Sequence, residues 1–161
     1  MKVKGIDLQS FSLNGAQHIE QYSPDDMKAI EWLVEADDGV ILEAVGGSYS
    51  GYARISTFSG LSTVLGWPGH ESQWRGGYDE MGNREEDIKQ IYQSNNWDET
   101  LALLQKYSVN YIYIGSYENN TYHVNEEKFI RKLGIVYEND TVRIFEVPES
   151  FYQNIEGEAL P

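Results

Sequence analysis

Residues 109–115 read VNYIYIG, and this stretch decides the predicted fold. It is rich in β-branched and aromatic residues and stops at Gly115, which is typical of a strand. Two segments with helical spacing of their apolar residues precede it, at 83–96 and 97–108, and a third follows at 125–134. A strand placed between helices predicts that the helices pack on a sheet.

The segments around this strand carry signals of their own. Asp98 is the predicted N-cap of the helix at 97–108. Residues 135–147, IVYENDTVRIFEV, contain two β-rich runs around Asn139-Asp140 and predict an antiparallel hairpin. In the predicted helices at 83–96 and 97–108, the residues expected to face the core are Ile88, Ile91, Tyr92, Leu101, Leu104 and Tyr107.

The first half of the chain contains a helix followed by a strand. In SPDDMKAIEWLVEADDG, residues 23–39, Ser23 is the predicted N-cap and Pro24 takes the first helical position. VILEA at 40–44 predicts a short apolar strand, and LSTVLGW at 61–67 is compatible with a second. The order of elements predicts a single α/β domain with a small mixed, partly parallel sheet, flanked by helices and completed by a C-terminal antiparallel hairpin.

Composition and charge exclude several functions. The chain has 161 residues and a formal net charge of −14, which argues against binding to nucleic acid or to anionic lipid. It has no cysteine, so disulfides and thiolate metal sites are excluded. His18, His70 and His123 are far apart in sequence, and no metal-binding motif is present. We therefore expect neither a metal nor a cofactor.

Residues 65–77, LGWPGHESQWRGG, are predicted to form an irregular loop because glycine and proline are frequent in them. Trp67 and Trp74 offer flat apolar faces that suit sugar rings, and Arg75 suits a phosphate or a carboxylate. The alternative is a structural loop pinned by its tryptophans, with Arg75 in an internal ion pair.

Two other glycine- and tyrosine-rich segments follow predicted strands. EAVGGSYSGYAR, at 43–54, follows the first strand, where glycines would let the backbone approach a ligand. It is also compatible with a flexible turn in which Tyr49 and Tyr52 cap the core. IGSYENNTYH, at 114–123, places Glu118 at the end of the central strand, where a ligand site is expected in an α/β sheet.

Several phrases together resemble a known family. They are GVILEAVGGSYSGYARISTFSGLSTVLGWPGHESQWRG, REEDIKQIYQS, LLQKYSVNYIYIGSYE and the late VRIFEV. These phrases resemble the soluble C-terminal part of the YYY-type polytopic membrane proteins, a family that carries a domain-of-unknown-function label. The likeness runs from about residue 13 to residue 148.

The resemblance implies a domain of a GT-C-like membrane glycosyltransferase that uses a polyprenyl-phosphate sugar donor. The arrangement is also similar to the oligosaccharyltransferase soluble domain, but the Trp-Trp-Asp motif of those enzymes is missing. On this reading, 1–12 is a linker from a missing membrane segment, 13–148 is a globular extramembrane domain on the extracytoplasmic side, and 149–161 is an acidic tail. The expected partners are the protein's own transmembrane region and a lipid-linked sugar.

The candidate residues are expected to bind substrate or to support the site, and none is expected to be catalytic. They are Glu43, Tyr49, Arg54, Trp67, His70, Glu71, Trp74, Arg75 and Glu118, with Arg84 as a weaker candidate. Two alternatives remain open: a protein-interaction module that uses the loop as an interface, and a free-standing small hydrolase or isomerase that uses His70 and Glu71 with Glu43.

Overall fold

The computed structural model describes residues 15–74, 77 and 82–152. The predicted linker at 1–12, Arg75 and most of the predicted acidic tail lie outside these residues. The helices are α1 Gly15–Tyr22, α2 Pro24–Val34, α3 Arg54–Ser59, α4 Pro68–Trp74, α5 Arg84–Gln93, α6 Trp97–Lys106, α7 Ser116–Thr121 and α8 Glu126–Lys132. The strands are β1 Val40–Leu42, β2 Ser62–Thr63, β3 Val109–Ile114, β4 Gly134–Glu138 and β5 Arg143–Glu146, and a 3-10 turn spans Glu149–Phe151.

The five strands form one mixed sheet in the order β2-β1-β3-β5-β4. Strand β1 pairs in parallel with both β2 and β3, whereas β5 pairs antiparallel with β3 and β4. The predicted α/β fold, with a partly parallel sheet and a C-terminal hairpin, is confirmed. The central position of β3 explains why its sequence is apolar on both faces.

Helices cover both faces of the sheet, and successive strand residues point to opposite sides. On one face, Ile112 and Ile114 of β3 pack in a core with Ile88, Ile91 and Tyr92 of α5. The second core, on the other face, contains Tyr111 and Tyr113 of β3 together with apolar residues of α1, α2 and α3. The inward residues predicted for α5 are all fully buried.

One local prediction differs from the structure. The N-cap of α6 is Asn96, not Asp98, because the Asn96 side chain accepts from the backbone N–H groups of Asp98 and Glu99. The difference arises at the end of an element, where sequence signals are weakest. Residues 149–152, which the sequence assigns to the acidic tail, include the 3-10 turn, and the Phe151 ring lies 6.2 Å from that of Trp97.

Candidate functional site

The parallel strands bring three chain segments to one edge of the sheet. Because β1, β2 and β3 run in the same direction, their carboxyl ends lie together. Glu43 directly follows β1, Trp67 lies shortly after β2, and Glu118 lies in α7 just after β3. This carboxyl edge is where ligands bind in open α/β sheets.

An aromatic cluster forms at this edge from the segments after β1 and β2. The Tyr49 ring lies 5.7 Å from that of Trp67 and 4.7 Å from that of His70. The rings of Trp67 and His70 are 5.4 Å apart. The indole Nε1 of Trp67 donates to the carbonyl oxygen of Tyr52 at 2.7 Å, which fixes the orientation of the indole. Tyr49 is 83% exposed, so this cluster faces solvent on one side.

The prediction that 65–77 is an irregular loop is wrong for Pro68–Trp74, which form helix α4. Pro68 opens the helix, where its fixed φ is favourable and its missing N–H costs no hydrogen bond. The Trp67 carbonyl accepts from the N–H groups of His70 and Glu71. The helix has only seven residues, too few for an apolar period to be recognised in the sequence.

Three further candidates in and beside this helix do not form a catalytic group. The Glu71 carboxylate accepts from the backbone N–H of Gly66 at 2.8 Å and so closes the turn before the helix. Trp74 is 85% exposed at the end of α4. Arg84, the weaker candidate, donates to the carbonyl oxygen of Val64 at 2.9 Å and therefore pins α5 to the segment after β2.

A cavity of about 590 Å³ opens between α1 and the carboxyl edge. Its size lies within the ≈ 300–1,000 Å³ range of small-molecule sites. Tyr49, Arg54 and Trp67 are the predicted residues that line it; Glu43, His70, Glu71, Trp74 and Glu118 are not part of the wall. The remaining wall is formed by Gly15, His18, Ile19, Tyr22, Ser23, Ser50, Gly51, Tyr52, Ala53, Thr57, Phe58 and Tyr117.

The wall segment between β1 and α3 is held close to α7 by a glycine. A Cβ atom on Gly51 would lie 2.2 Å from the Tyr117 hydroxyl, so only glycine fits this approach. Tyr49 and Ala53 adopt left-handed φ values of 58° and 60°, which are uncommon for residues other than glycine. Strain of this kind is concentrated at ligand-binding and active sites in proteins.

Arg54 belongs to both the cavity wall and a buried ionic network. Its Nε donates to Asp26 Oδ2 at 2.7 Å, and the second oxygen of Asp26 accepts from the Tyr113 hydroxyl at 2.5 Å. The Nη2 atom lies 3.7 Å from Glu118 Oε2. The guanidinium also stacks on the Tyr117 ring, 4.2 Å from its centroid.

Glu43 and Glu118 are buried supports of the chain. Glu43 Oε2 and Oε1 accept from the N–H groups of Ile55 and Ser56, both at 3.0 Å, and thereby cap α3. Glu118 accepts from the N–H of Ala44 and from that of Gly115, both at 2.9 Å. Burial raises the pKa of both carboxyls above the ordinary value for glutamate, although these hydrogen bonds oppose the shift.

Sequence reasoning missed two members of this network, Asp26 and Tyr113. In the sequence, Asp26 has only the signature of an acid in the first turn of α2, where it complements the positive end of the helix dipole. Tyr113 was interpreted as one aromatic residue of a strand. The alternation of tyrosine with isoleucine along β3 was the available signal, since it places both Tyr111 and Tyr113 on the face that α2 covers.

Within residues 15–74, 77 and 82–152, no group of three or more metal-ligating side chains is present. Over the same residues, no helix is long and apolar enough to cross a membrane.

The chain matches no known family model, and no curated protein matches it. Among solved structures, it is similar to the C-terminal globular domain of an oligosaccharyltransferase from Archaeoglobus fulgidus. The two share 13% sequence identity over 76% of this chain and 97% of that one, with a TM-score of 0.47. At this identity and score, no activity, substrate or residue role is carried over from that domain.

Proposed function

We propose that this chain is the extracytoplasmic domain of a polytopic GT-C-like membrane glycosyltransferase and that its carboxyl-edge cavity binds part of the substrate. The bond-making groups would belong to the membrane region. The proposal starts from the family phrases around GWPGHESQWRG and YIYIG. On this proposal, the sugar donor carries a polyprenyl phosphate, and the domain works next to the bilayer.

The observation that carries the proposal is the aromatic wall of the cavity. Tyr49 follows β1 and Trp67 follows β2, so two separate segments supply rings to one opening at the ligand-binding edge. Flat apolar faces of this kind pack against the C–H faces of sugar rings, while nearby polar groups fix orientation. The Trp67 indole is already oriented by its bond to the Tyr52 carbonyl.

The hydrogen bonds of the candidate acids favour binding over catalysis. Both oxygens of Glu43 and both oxygens of Glu118 are used by backbone N–H groups in the interior. Glu71, the acid expected to work with His70 in a hydrolase, is held by the Gly66 N–H. These arrangements stabilise the edge and disfavour a free-standing hydrolase that uses His70, Glu71 and Glu43.

The test is a transfer assay on the whole gene product in membranes, with a polyprenyl-phosphate sugar as donor. We expect transfer by the membrane protein, no transfer by the 161-residue chain alone, and a higher KM without loss of expression for Tyr49→Ala. Transfer by the chain alone would overturn the proposal, and so would a gene product that has no membrane spans.

A protein-interaction role is the second candidate, and the exposure of Trp74 favours it. A tryptophan that is 85% exposed is unusual on an isolated surface, and such residues are frequent at the centres of interfaces. If Trp74 contacts another part of the parent protein, Trp74→Ala should weaken co-purification of the domain with the separately expressed membrane region. Under the substrate-binding proposal, Tyr49→Ala impairs transfer and leaves co-purification unchanged.

A further inference from the structure

Arg54 is a cation in the cavity wall whose hydrogen bonding is incomplete. It is only 6% exposed. Its Nη1 and Nη2 atoms are buried and have no hydrogen-bond acceptor among the described residues. Buried donors are almost always paired in native proteins, so a group without an acceptor calls for an explanation. An oxygen atom of a ligand in the cavity would supply the missing acceptor.

The charges around Arg54 determine which kind of oxygen fits. Asp26 contacts Nε at 2.7 Å, and Glu118 lies 3.7 Å from Nη2. Burial alone would lower the pKa of Arg54, but these two carboxylates outweigh it and raise that pKa, so the guanidinium remains protonated. Its positive charge is therefore already balanced inside the protein. The two carboxylates next to the guanidinium would repel a ligand anion. A neutral ligand oxygen is not repelled and can still accept a hydrogen bond from a free N–H group of Arg54.

The rest of the wall agrees with a neutral ligand that has hydroxyl groups. Tyr22, Tyr49, Phe58 and Trp67 contribute aromatic surface, and Ser50 and Thr57 contribute polar edges. Among the described residues that line the wall, Arg54 is the one arginine or lysine, and His18 is the other basic side chain. The protein as a whole has a net charge of −14, which adds a field that is unfavourable to anions.

We propose that the cavity binds a neutral sugar ring, one of whose oxygen atoms accepts a hydrogen bond from Arg54 Nη1 or Nη2, and that it discriminates against the same sugar carrying a phosphate. The choice of a sugar over other neutral polyols rests on the proposed function. In terms of that function, the cavity holds a glycosyl unit remote from the phosphate of the lipid-linked donor, or a glycosylated acceptor.

The experiment is an NMR titration of the 161-residue chain with methyl glycosides of hexoses and N-acetylhexosamines, and with the corresponding sugar 1-phosphates. The Trp67 indole N–H and the Arg54 guanidinium N–H resonances report binding. We expect both to shift with at least one neutral glycoside, and we expect its 1-phosphate to bind about tenfold more weakly. Equal or tighter binding of the phosphate would overturn the proposal, and so would the absence of binding by every neutral glycoside.

Two exposed aromatic residues provide a matched pair of variants. Tyr49→Ala removes a ring from the wall and should weaken binding by about tenfold, whereas Trp74→Ala removes an equally exposed ring outside the wall and should leave binding unchanged. Arg54→Lys keeps the positive charge and removes the Nη1 and Nη2 donors, so it should weaken binding of the neutral glycoside if the variant folds. If Arg54→Lys does not fold, the comparison of Tyr49→Ala with Trp74→Ala tests whether the sugar binds in the cavity. Equal effects of these two variants on binding would refute the assignment of the sugar site to the cavity.

The two proposals fail in different ways. If neutral glycosides bind to the chain but the whole membrane protein transfers no sugar, the cavity assignment stands and the glycosyltransferase role is wrong. If the membrane protein transfers sugar but no neutral glycoside binds to the chain, the glycosyltransferase role stands and the cavity assignment is wrong.

Discussion

Replacement of Glu118 by glutamine tests whether this residue holds the carboxyl edge together. Glu118 is fully buried, and each of its oxygens accepts one backbone N–H, from Ala44 and from Gly115, at 2.9 Å. A glutamine of the same shape has one carbonyl oxygen and one NH₂ group. Its NH₂ group must then face one of the two backbone donors, so that two donors meet and one hydrogen bond is lost.

The expected cost follows from this count. A buried N–H without an acceptor costs about 1–3 kcal/mol. The variant also loses the charge that lies 3.7 Å from Arg54 Nη2, but part of that loss is offset because a buried charge no longer has to be desolvated. We therefore expect Glu118→Gln to lower the free energy of unfolding by about 3 kcal/mol. Typical domains have only about 5–15 kcal/mol in total.

Urea unfolding followed by circular dichroism measures this loss, with Glu31→Gln as the matched control. Glu31 is exposed in α2, so its replacement should change stability by less than about 0.5 kcal/mol. An unchanged m-value would show that the denatured state is not altered. If Glu118→Gln also costs less than about 0.5 kcal/mol, the carboxylate does not hold both N–H groups, and the structural role assigned to it is wrong.

The same variant has a predicted pH dependence. Burial raises the pKa of Glu118 above 4.5, so between 4.5 and the raised pKa the folded protein holds a proton that the unfolded chain releases. The stabilisation that comes from the raised pKa of Glu118 has its full value below pH 4.5 and is lost as the pH rises through the raised pKa. The stability of the wild type relative to Glu118→Gln should accordingly fall as the pH rises from 4.5 through the raised pKa. A relative stability that rises with pH would show that the pKa is lowered instead.

Three other predictions concern elements away from this carboxylate. Gly51→Ala would bring a Cβ atom to 2.2 Å from a tyrosine hydroxyl, so thermal unfolding should show that the free energy of unfolding falls by about 1–3 kcal/mol. Gly47→Ala is the control and should cost little, because no atom lies within 4 Å of the new Cβ. Equal costs of the two variants would contradict the packing described for Gly51. Asn96→Ala should lower the free energy of unfolding by about 1 kcal/mol in urea, because it removes the N-cap of α6. Asp98→Ala should cost only a few tenths of a kcal/mol. The reverse order of costs would show that Asp98 is the cap, as the sequence predicts. Burial lowers the pKa of Lys128 to about 8 from 10.5, so the stability of the wild type relative to Lys128→Met should rise as the pH increases between these values, since the unfolded lysine keeps its proton longer. A flat difference across that range would refute the shift.

The sheet was predictable from the sequence because its strands are bounded by glycines and separated by amphipathic helices. VNYIYIG predicts β3, and the two β-rich runs around Asn139 predict the hairpin of β4 and β5. The short helices α3 and α4 were not predictable, because six or seven residues do not establish a helical period. They depend on tertiary contacts: Glu43 caps α3 from another segment of the chain.

The position of some candidate residues could also be predicted from the order of the strands. That Tyr49 and Trp67 lie together follows from the rule that parallel strands end at one edge. The wall contributed by α1 could not be found, since residues 1–22 show no clear period in the sequence. The partner of Arg54 could not be found either, because Asp26 lies 28 positions before it and resembles an ordinary helix-start acid.

The hydrogen bonds of the buried acids explain why Glu43 and Glu118 are unsuited to acid–base chemistry. Asp26 and Glu118 face the Arg54 guanidinium in the interior, and Glu43 is buried at the same edge, so this edge is held by ionic groups whose removal is costly. A catalytic acid must release and regain its proton at the substrate, whereas Glu43 and Glu118 have both oxygens committed to backbone N–H groups. If either acid turned toward the cavity, it would leave two buried N–H groups unpaired, at a cost of about 2–6 kcal/mol. An enzyme built on this edge would therefore not use Glu43 or Glu118 as its acid or base, which agrees with the division of roles in the membrane-transferase proposal.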